Sequence, residues 1–193
     1  MEEKNFKTMP AADFKNATAA DFKKLIRNVP DFPKPGVQFK DITPLLQDGP
    51  RFRAAIDAMA GHYANSDFNV IASVEARGFI IGAALAYAMG KSFVPLRKPG
   101  KLPFKSVRAE LEKEYGKDAV EMHVDALKAG DSVLIIDDVL ATGGTLNAVL
   151  ELVENAGARV EGIGVLVELS FLHGRENLKG QKSPYKVFSL IKY

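Results

Sequence analysis

The sequence has no cysteine, no tryptophan and only three histidines in 193 residues. Without thiols there is no disulfide scaffold, no thiolate nucleophile and no cysteine-bound zinc or iron–sulfur centre. His62, His123 and His173 are too scattered for an imidazole metal site. Long apolar runs are also missing. The longest lies within residues 79–89, far short of the roughly 20 residues of a spanning helix. Residues 1–12 mix acids with lysines and hold no apolar stretch of the secretory kind. Neither sign of charge dominates: 26 Lys and Arg against 24 Asp and Glu leave +2, which makes no electrostatic case for nucleic acid. The expectation is a cytoplasmic protein with neither membrane nor nucleic-acid partners.

What is present is a core and an alternation. The 47% apolar content is ample for a buried interior, and the length fits one domain with room for a small appendage. Residues 1–28 read as an extension ending in a short amphipathic helix; Ala11 to Lys15 recurs as Ala19 to Lys23. Pro30, Pro33, Pro35 and Gly36 make residues 31–40 a constrained loop carrying Phe32 and Phe39. Helical spacing follows over 50–63, a strand over 70–74, a buried helix over 78–89 closed by Gly90, and a strand over 92–96. Residues 101–117 are highly charged and read as a long mobile loop or hairpin. Further strands are expected over 120–124, 132–136, 159–168 and 185–190, with a helix over 144–155. The fold class is therefore α/β, a mostly parallel, doubly wound sheet flanked by helices. Ligands in such sheets sit beyond the strand C-termini at the switch point.

Two glycine motifs mislead. Gly90-Lys91-Ser92 lacks the earlier glycine of a nucleotide P-loop and precedes a strand instead of following one. Gly162-Ile163-Gly164 lacks the third glycine of a dinucleotide fingerprint. The run from Val133 to Thr145 is more informative. Four apolar residues form a strand, Asp137 and Asp138 emerge at its end, Ala141, Thr142, Gly143, Gly144 and Thr145 make a small-residue loop, and a helix begins. The glycines let backbone N–H groups converge, the threonines add hydroxyls, and the helix start adds positive potential, which suits a phosphate. Adjacent carboxylates suit sugar hydroxyls or a hydrated cation.

This run resembles the phosphoribosyl diphosphate signature of the type I phosphoribosyltransferases. Glu75 to Phe79 resembles that family's diphosphate loop. Residues 31–37 and 39–42, Arg97 to Pro103, Glu114-Tyr115-Gly116 and Gly174-Arg175-Glu176 resemble its adenine-specific branch. The likeness covers residues 29–193 and implies one domain, with a base-binding hood over 29–45 and a flexible catalytic loop over 101–117. It implies transfer of the phosphoribosyl group from phosphoribosyl diphosphate to adenine, giving AMP and diphosphate, with Mg²⁺ carried by the diphosphate and a homodimer as the assembly.

The same resemblance distributes the roles. Asp137, Asp138 and residues 141–145 are to hold the ribose and its 5′-phosphate. Ala76, Arg77, Arg97, Lys98 and Lys101 are to meet the diphosphate, with Arg77 also in the catalytic set. Glu114 inherits the acid/base role, Glu110 and Glu112 being neighbours that composition alone does not separate from it, and Tyr115 packs over the closed site. Phe39 is the stacking ring, flanked by Val37, Gln38 and Lys40; without the resemblance it reads rather as an ordinary core ring that anchors its loop. Gln38 stands where the family often has a small apolar residue, and Lys113 where it usually has Leu. Two other functions compete: a phosphoribosyl-binding regulator, for which residues 1–28 are too short and too weakly basic to supply a DNA-binding module, and transfer to hypoxanthine, guanine or xanthine.

Overall fold

A computed structural model describes residues 17–111, 118–179 and 184–193. No described helix is long and apolar enough to cross a membrane. The chain divides into two compact units, Met1–Ala55 and Ile56–Tyr193.

In the first unit, α1 (Ala19–Lys23) is started by Thr18, whose N–H and hydroxyl both reach Asp21 Oδ2, at 3.1 and 2.7 Å. The proline-rich stretch is more regular than the sequence implies. Strands β1 (Arg27–Pro30) and β2 (Gln38–Asp41) pair antiparallel, so only 31–37 is loop. Pro30 can end a strand in a two-stranded ribbon, where its missing donor costs no ladder bond on an open edge. Asp31 closes the loop by accepting the Gly36 N–H at 2.8 Å. Asp41 then accepts the Thr43 N–H at 2.9 Å and starts α2 (Thr43–Gln47), with Pro44 in its first turn. The division between the units falls within α3 (Gly49–His62).

The second unit carries a five-stranded sheet of β3 (Val70–Val74), β4 (Ser92–Leu96), β7 (Ser132–Leu140), β8 (Arg159–Glu168) and β9 (Val187–Lys192). Its order is β4-β3-β7-β8-β9 and every pairing is parallel. Strand order reverses between β3 and β7, which makes their C-terminal ends the switch point. Helix α4 (Arg77–Met89) leaves β3 and packs on β3 and β7. It approaches closely because Gly78 has no side chain: a Cβ there would lie 2.7 Å from Asp137 Oδ1. Gly90, at φ +62°, caps it as expected. Helix α5 (Gly144–Asn155) buries Leu146, Val149, Leu150 and Val153, a stripe at helical spacing. That stripe shares one core with Val133, Ile135, Ile163 and Val165 of the sheet. Each such side chain, once buried, contributes about 1.5–3 kcal/mol.

The charged stretch resolves as the hairpin alternative at its ends. Strands β5 (Ser106–Leu111) and β6 (Asp118–His123) pair antiparallel, and Ala109, Val120 and Met122 join the α5 core. A few buried apolar positions among many charges suffice to fix the pairing.

Candidate active site

The site begins with two carboxylates inside a strand. The sequence pattern ends the strand at Ile136, but β7 continues to Leu140, pairing Asp137 with Val165, Val139 with Val167 and Leu140 with Glu168. The apolar run resumes after the acids, and β8 extends alongside to receive it. Asp137 and Asp138 are consequently 8% and 7% exposed. Burial pushes the Asp137 carboxyl well above the usual carboxylate range, and the Asp138 charge adds to it. Burial raises Asp138 too, against the opposing pull of Arg77. Adjacent like charges in a dry strand end are costly to ionise together, so the two titrate as a pair. Arg77, the first residue of α4, sets its Nε 2.8 Å from Asp138 Oδ2. That contact is an ion pair by distance; Asp138 Oδ2 is buried and accepts no aligned hydrogen bond. A sugar hydroxyl would satisfy it.

Beyond Leu140 the loop runs through Ala141, Thr142 and Gly143, the last at φ +91° as the cap of α5. Among the described residues the N–H groups of residues 142–145 donate no hydrogen bond. Four consecutive open donors at a helix start offer the backbone geometry and positive potential that suit an anion.

The predicted basic residues follow the C-terminal ends of β3 and β4. Ala76 is exposed at the N-cap of α4, after a Glu75–Ala76 peptide that is cis. Arg97 follows β4, and its guanidinium is largely committed: Nε lies 2.6 Å from Glu75 Oε2 and Nη1 donates to Lys101 O at 2.9 Å. Glu75 also accepts the Lys98 N–H at 3.0 Å. Burial works to raise the Glu75 pKa, but hydrogen bonds and charge from Arg97 and Lys98 outweigh it and hold the carboxylate low. Arg97 is thus a brace between the Glu75 turn and residues 97–101. The side chains of Lys98 and Lys101 are exposed.

Val37, Gln38, Phe39 and Lys40 stand on the β1–β2 hairpin of the first unit. Gln38 and Lys40 share a face with Asn28: Asn28 Nδ2 donates to Gln38 Oε1 at 2.7 Å, and Lys40 Nζ to Asn28 Oδ1 at 2.9 Å. Phe39 points to the other face and meets Phe32 edge-on, with ring centroids 5.0 Å apart. The Gln38 side chain and the Phe39 ring therefore lie on opposite faces of the hairpin. Glu114 and Tyr115 lie outside the described residues, as does Glu112.

Residues 44–193 match the phosphoribosyl transferase domain. Over 170 residues the chain is 54% identical to the adenine phosphoribosyltransferase of Desulfitobacterium hafniense (strain Y51), a match that covers 88% of this chain and 96% of that protein. The chain belongs to the adenine phosphoribosyltransferase family. The crystal structure of the Thermoanaerobacter pseudethanolicus enzyme of that name superposes with a TM-score of 0.87 at 49% identity, covering 91% of this chain and 100% of that one. The Giardia lamblia enzyme, solved with 9-deazaadenine, gives 0.85 at 39% identity over 92% and 98%. The expected α/β fold and the family resemblance both hold.

Within this family frame, three contributors escaped sequence reasoning. Ser73, fully buried in β3, shares its hydroxyl between Gly78 O at 2.8 Å and Ile136 O at 2.5 Å, and so ties the two switch-point strands to α4. Asn147 and Asn177 bridge α5 to the segment after β8. A lone Ser or Asn carries no pattern that marks such a role. Arg175, which carries part of the family resemblance, forms a forked pair with buried Glu168, at 3.2 and 2.6 Å, and donates to Val187 O at 2.8 Å. No cluster of three or more acidic or imidazole groups capable of holding a metal occurs among the described residues. Asp137 and Asp138 offer two carboxylates, too few to cage Mg²⁺, which fits an ion that arrives with phosphate and water ligands.

Proposed function

We propose that the protein transfers the 5-phosphoribosyl group from phosphoribosyl diphosphate to adenine, giving AMP and diphosphate, a purine-salvage reaction. The observation that carries this reading is the open row of amides at residues 142–145 beside the buried pair Asp137 and Asp138, at the switch point of a parallel sheet. The amides bind the 5′-phosphate, and the carboxylates accept the ribose hydroxyls. The bond from the anomeric carbon to the diphosphate oxygen breaks, and a bond to adenine N9 forms, with oxocarbenium character between. Arg77, Lys98 and Lys101 take up the charge of the departing diphosphate, while Arg97 holds their loop. Asp137 and Asp138 would help hold a Mg²⁺ carried by the diphosphate, and the ion would add to that neutralisation. The resemblance assigns the N9 proton to the Glu114 carboxylate and cover of the base to Tyr115. Phe39 stacks the adenine, with Val37, Gln38 and Lys40 contributing backbone contacts.

Two further parts of the reading concern setting. The assembly is a homodimer: after Arg77, α4 has no charged residue, yet Ile80, Ala83, Tyr87 and Ala88 are exposed on it, Tyr87 at 91%. A second copy is the partner that an uncharged helical face of this kind fits. The location is the cytoplasm, because a polyanionic substrate does not cross a bilayer unaided.

The test is to offer adenine, guanine, hypoxanthine and xanthine separately with phosphoribosyl diphosphate and Mg²⁺, and to measure nucleotide and diphosphate. AMP from adenine alone is the expected result. No AMP would refute the activity, and equal turnover of guanine would refute the base assignment.

A further inference from the structure

The phosphate loop is shaped from behind by a segment outside it. Gly174 packs so closely that a Cβ on it would sit 2.1 Å from Ala141 O and 3.0 Å from Ala141 C. The oxygen is nearer than its carbon, so the Ala141 carbonyl points at residue 174. Asn177 Nδ2 donates to the next carbonyl, Thr142 O, at 3.1 Å. Two successive carbonyls therefore face the 174–177 segment. Both peptide units are trans. In a trans peptide the N–H points opposite to the C=O. The N–H groups of Thr142 and Gly143 are thereby turned away from the segment, toward the open side of the loop. Asn177 is itself held, since Asn147 Nδ2 donates to Asn177 O at 2.9 Å and Asn147 Oδ1 accepts the Lys179 N–H at 2.9 Å.

We propose that Asn177 is a positioning residue for phosphoribosyl binding: its amide, with the Gly174 backbone, sets the polarity of the 141–143 peptides so that their donors face the phosphate. The proposal rests on the phosphate-loop reading given above. It acts on an oriented dipole rather than on packing. Without the Asn177 donor, the Thr142 carbonyl is free to turn toward the helix or toward the ligand, where it would repel a phosphate oxygen.

Asn177→Ala and the near-isosteric Asn177→Leu test it by calorimetric titration with ribose 5-phosphate, steady-state kinetics and thermal melting. Loss of one hydrogen bond's worth of orientation weakens ribose 5-phosphate binding about tenfold and raises KM for phosphoribosyl diphosphate by about the same factor. KM for adenine and the melting temperature should stay close to wild type in at least the Leu variant. Equal rises in both KM values together with a lower melting temperature would reduce Asn177 to a structural residue and overturn the proposal. Unchanged ribose 5-phosphate affinity in both variants would overturn it as well, with the functional reading intact. Failure of the wild-type protein to bind ribose 5-phosphate would remove the reading and the proposal together.

Discussion

Asp137 and Asp138 are buried acids whose ionisation costs the fold stability. A carboxyl whose folded pKa lies above its unfolded value stabilises the protein only while it stays protonated, and that contribution is lost as pH rises through the folded pKa. Burial places both acids in this class, and the neighbouring Asp138 charge adds to it for Asp137. Asp137→Asn removes one charge and keeps the oxygen that accepts the Asp138 N–H at 2.9 Å. Its melting temperature should exceed wild type by roughly 2–4 °C at mildly alkaline pH, with the gap closing as pH falls, while transferase activity drops. Asp138→Asn should weaken phosphoribosyl diphosphate binding by at least tenfold and leave adenine affinity nearly unchanged, if Asp138 Oδ2 is the acceptor for a ribose hydroxyl. Equal losses for both ligands, read by titration, would argue against that role. The residue type was legible at both positions, but the environment was not. A sequence shows two acids after an apolar run; only the continued pairing to β8 shows that they are buried.

Among the elements, the loop of residues 141–145 depends on a segment distant in the chain, residues 174–177. The glycines that sequence reasoning valued for open amides have a second duty: a Cβ on Gly143 would lie 2.7 Å from Gly174 O. Gly174→Ala must displace Ala141 O, a backbone atom that cannot swing aside, and should cost roughly 2 kcal/mol or more of stability. Denaturant unfolding measures the cost, and phosphate affinity should fall in parallel. The parallel sheet and its two long helices were readable because their apolar patterns are sustained, over Val133 to Ile136 in the strand and Leu146 to Val153 in the helix. The β1–β2 hairpin was not, because three prolines mask two short strands whose pairing is set by contacts within the unit. Asn147 and Asn177 were invisible for a related reason. Their partners are 30 and 35 residues away, and nothing local marks them.

For the whole molecule, the near-neutral charge conceals opposed limbs of a pH profile. Glu168 is nearly buried; burial raises its pKa, but Arg175, Ser189 and Lys192 outweigh that and hold it low. Glu75 behaves likewise beside Arg97. Such groups stabilise the protein above the ordinary carboxylate range, and the contribution is lost as pH falls through their folded pKa values. The melting temperature should therefore decline below about pH 4, and Glu168→Gln, less stable at neutral pH, should show a shallower acid decline. Assembly is tested at the same scale. Ile80→Glu with Tyr87→Glu should shift sedimentation from dimer to monomer; a wild-type protein already monomeric would exclude the α4 face as an interface. The most direct measurement of all is a crystal structure with AMP bound. The expected result is a phosphate within hydrogen-bond distance of the N–H groups of residues 142–145 and ribose hydroxyls on Asp137 and Asp138. A phosphate held elsewhere, with those amides and carboxylates untouched, would contradict it.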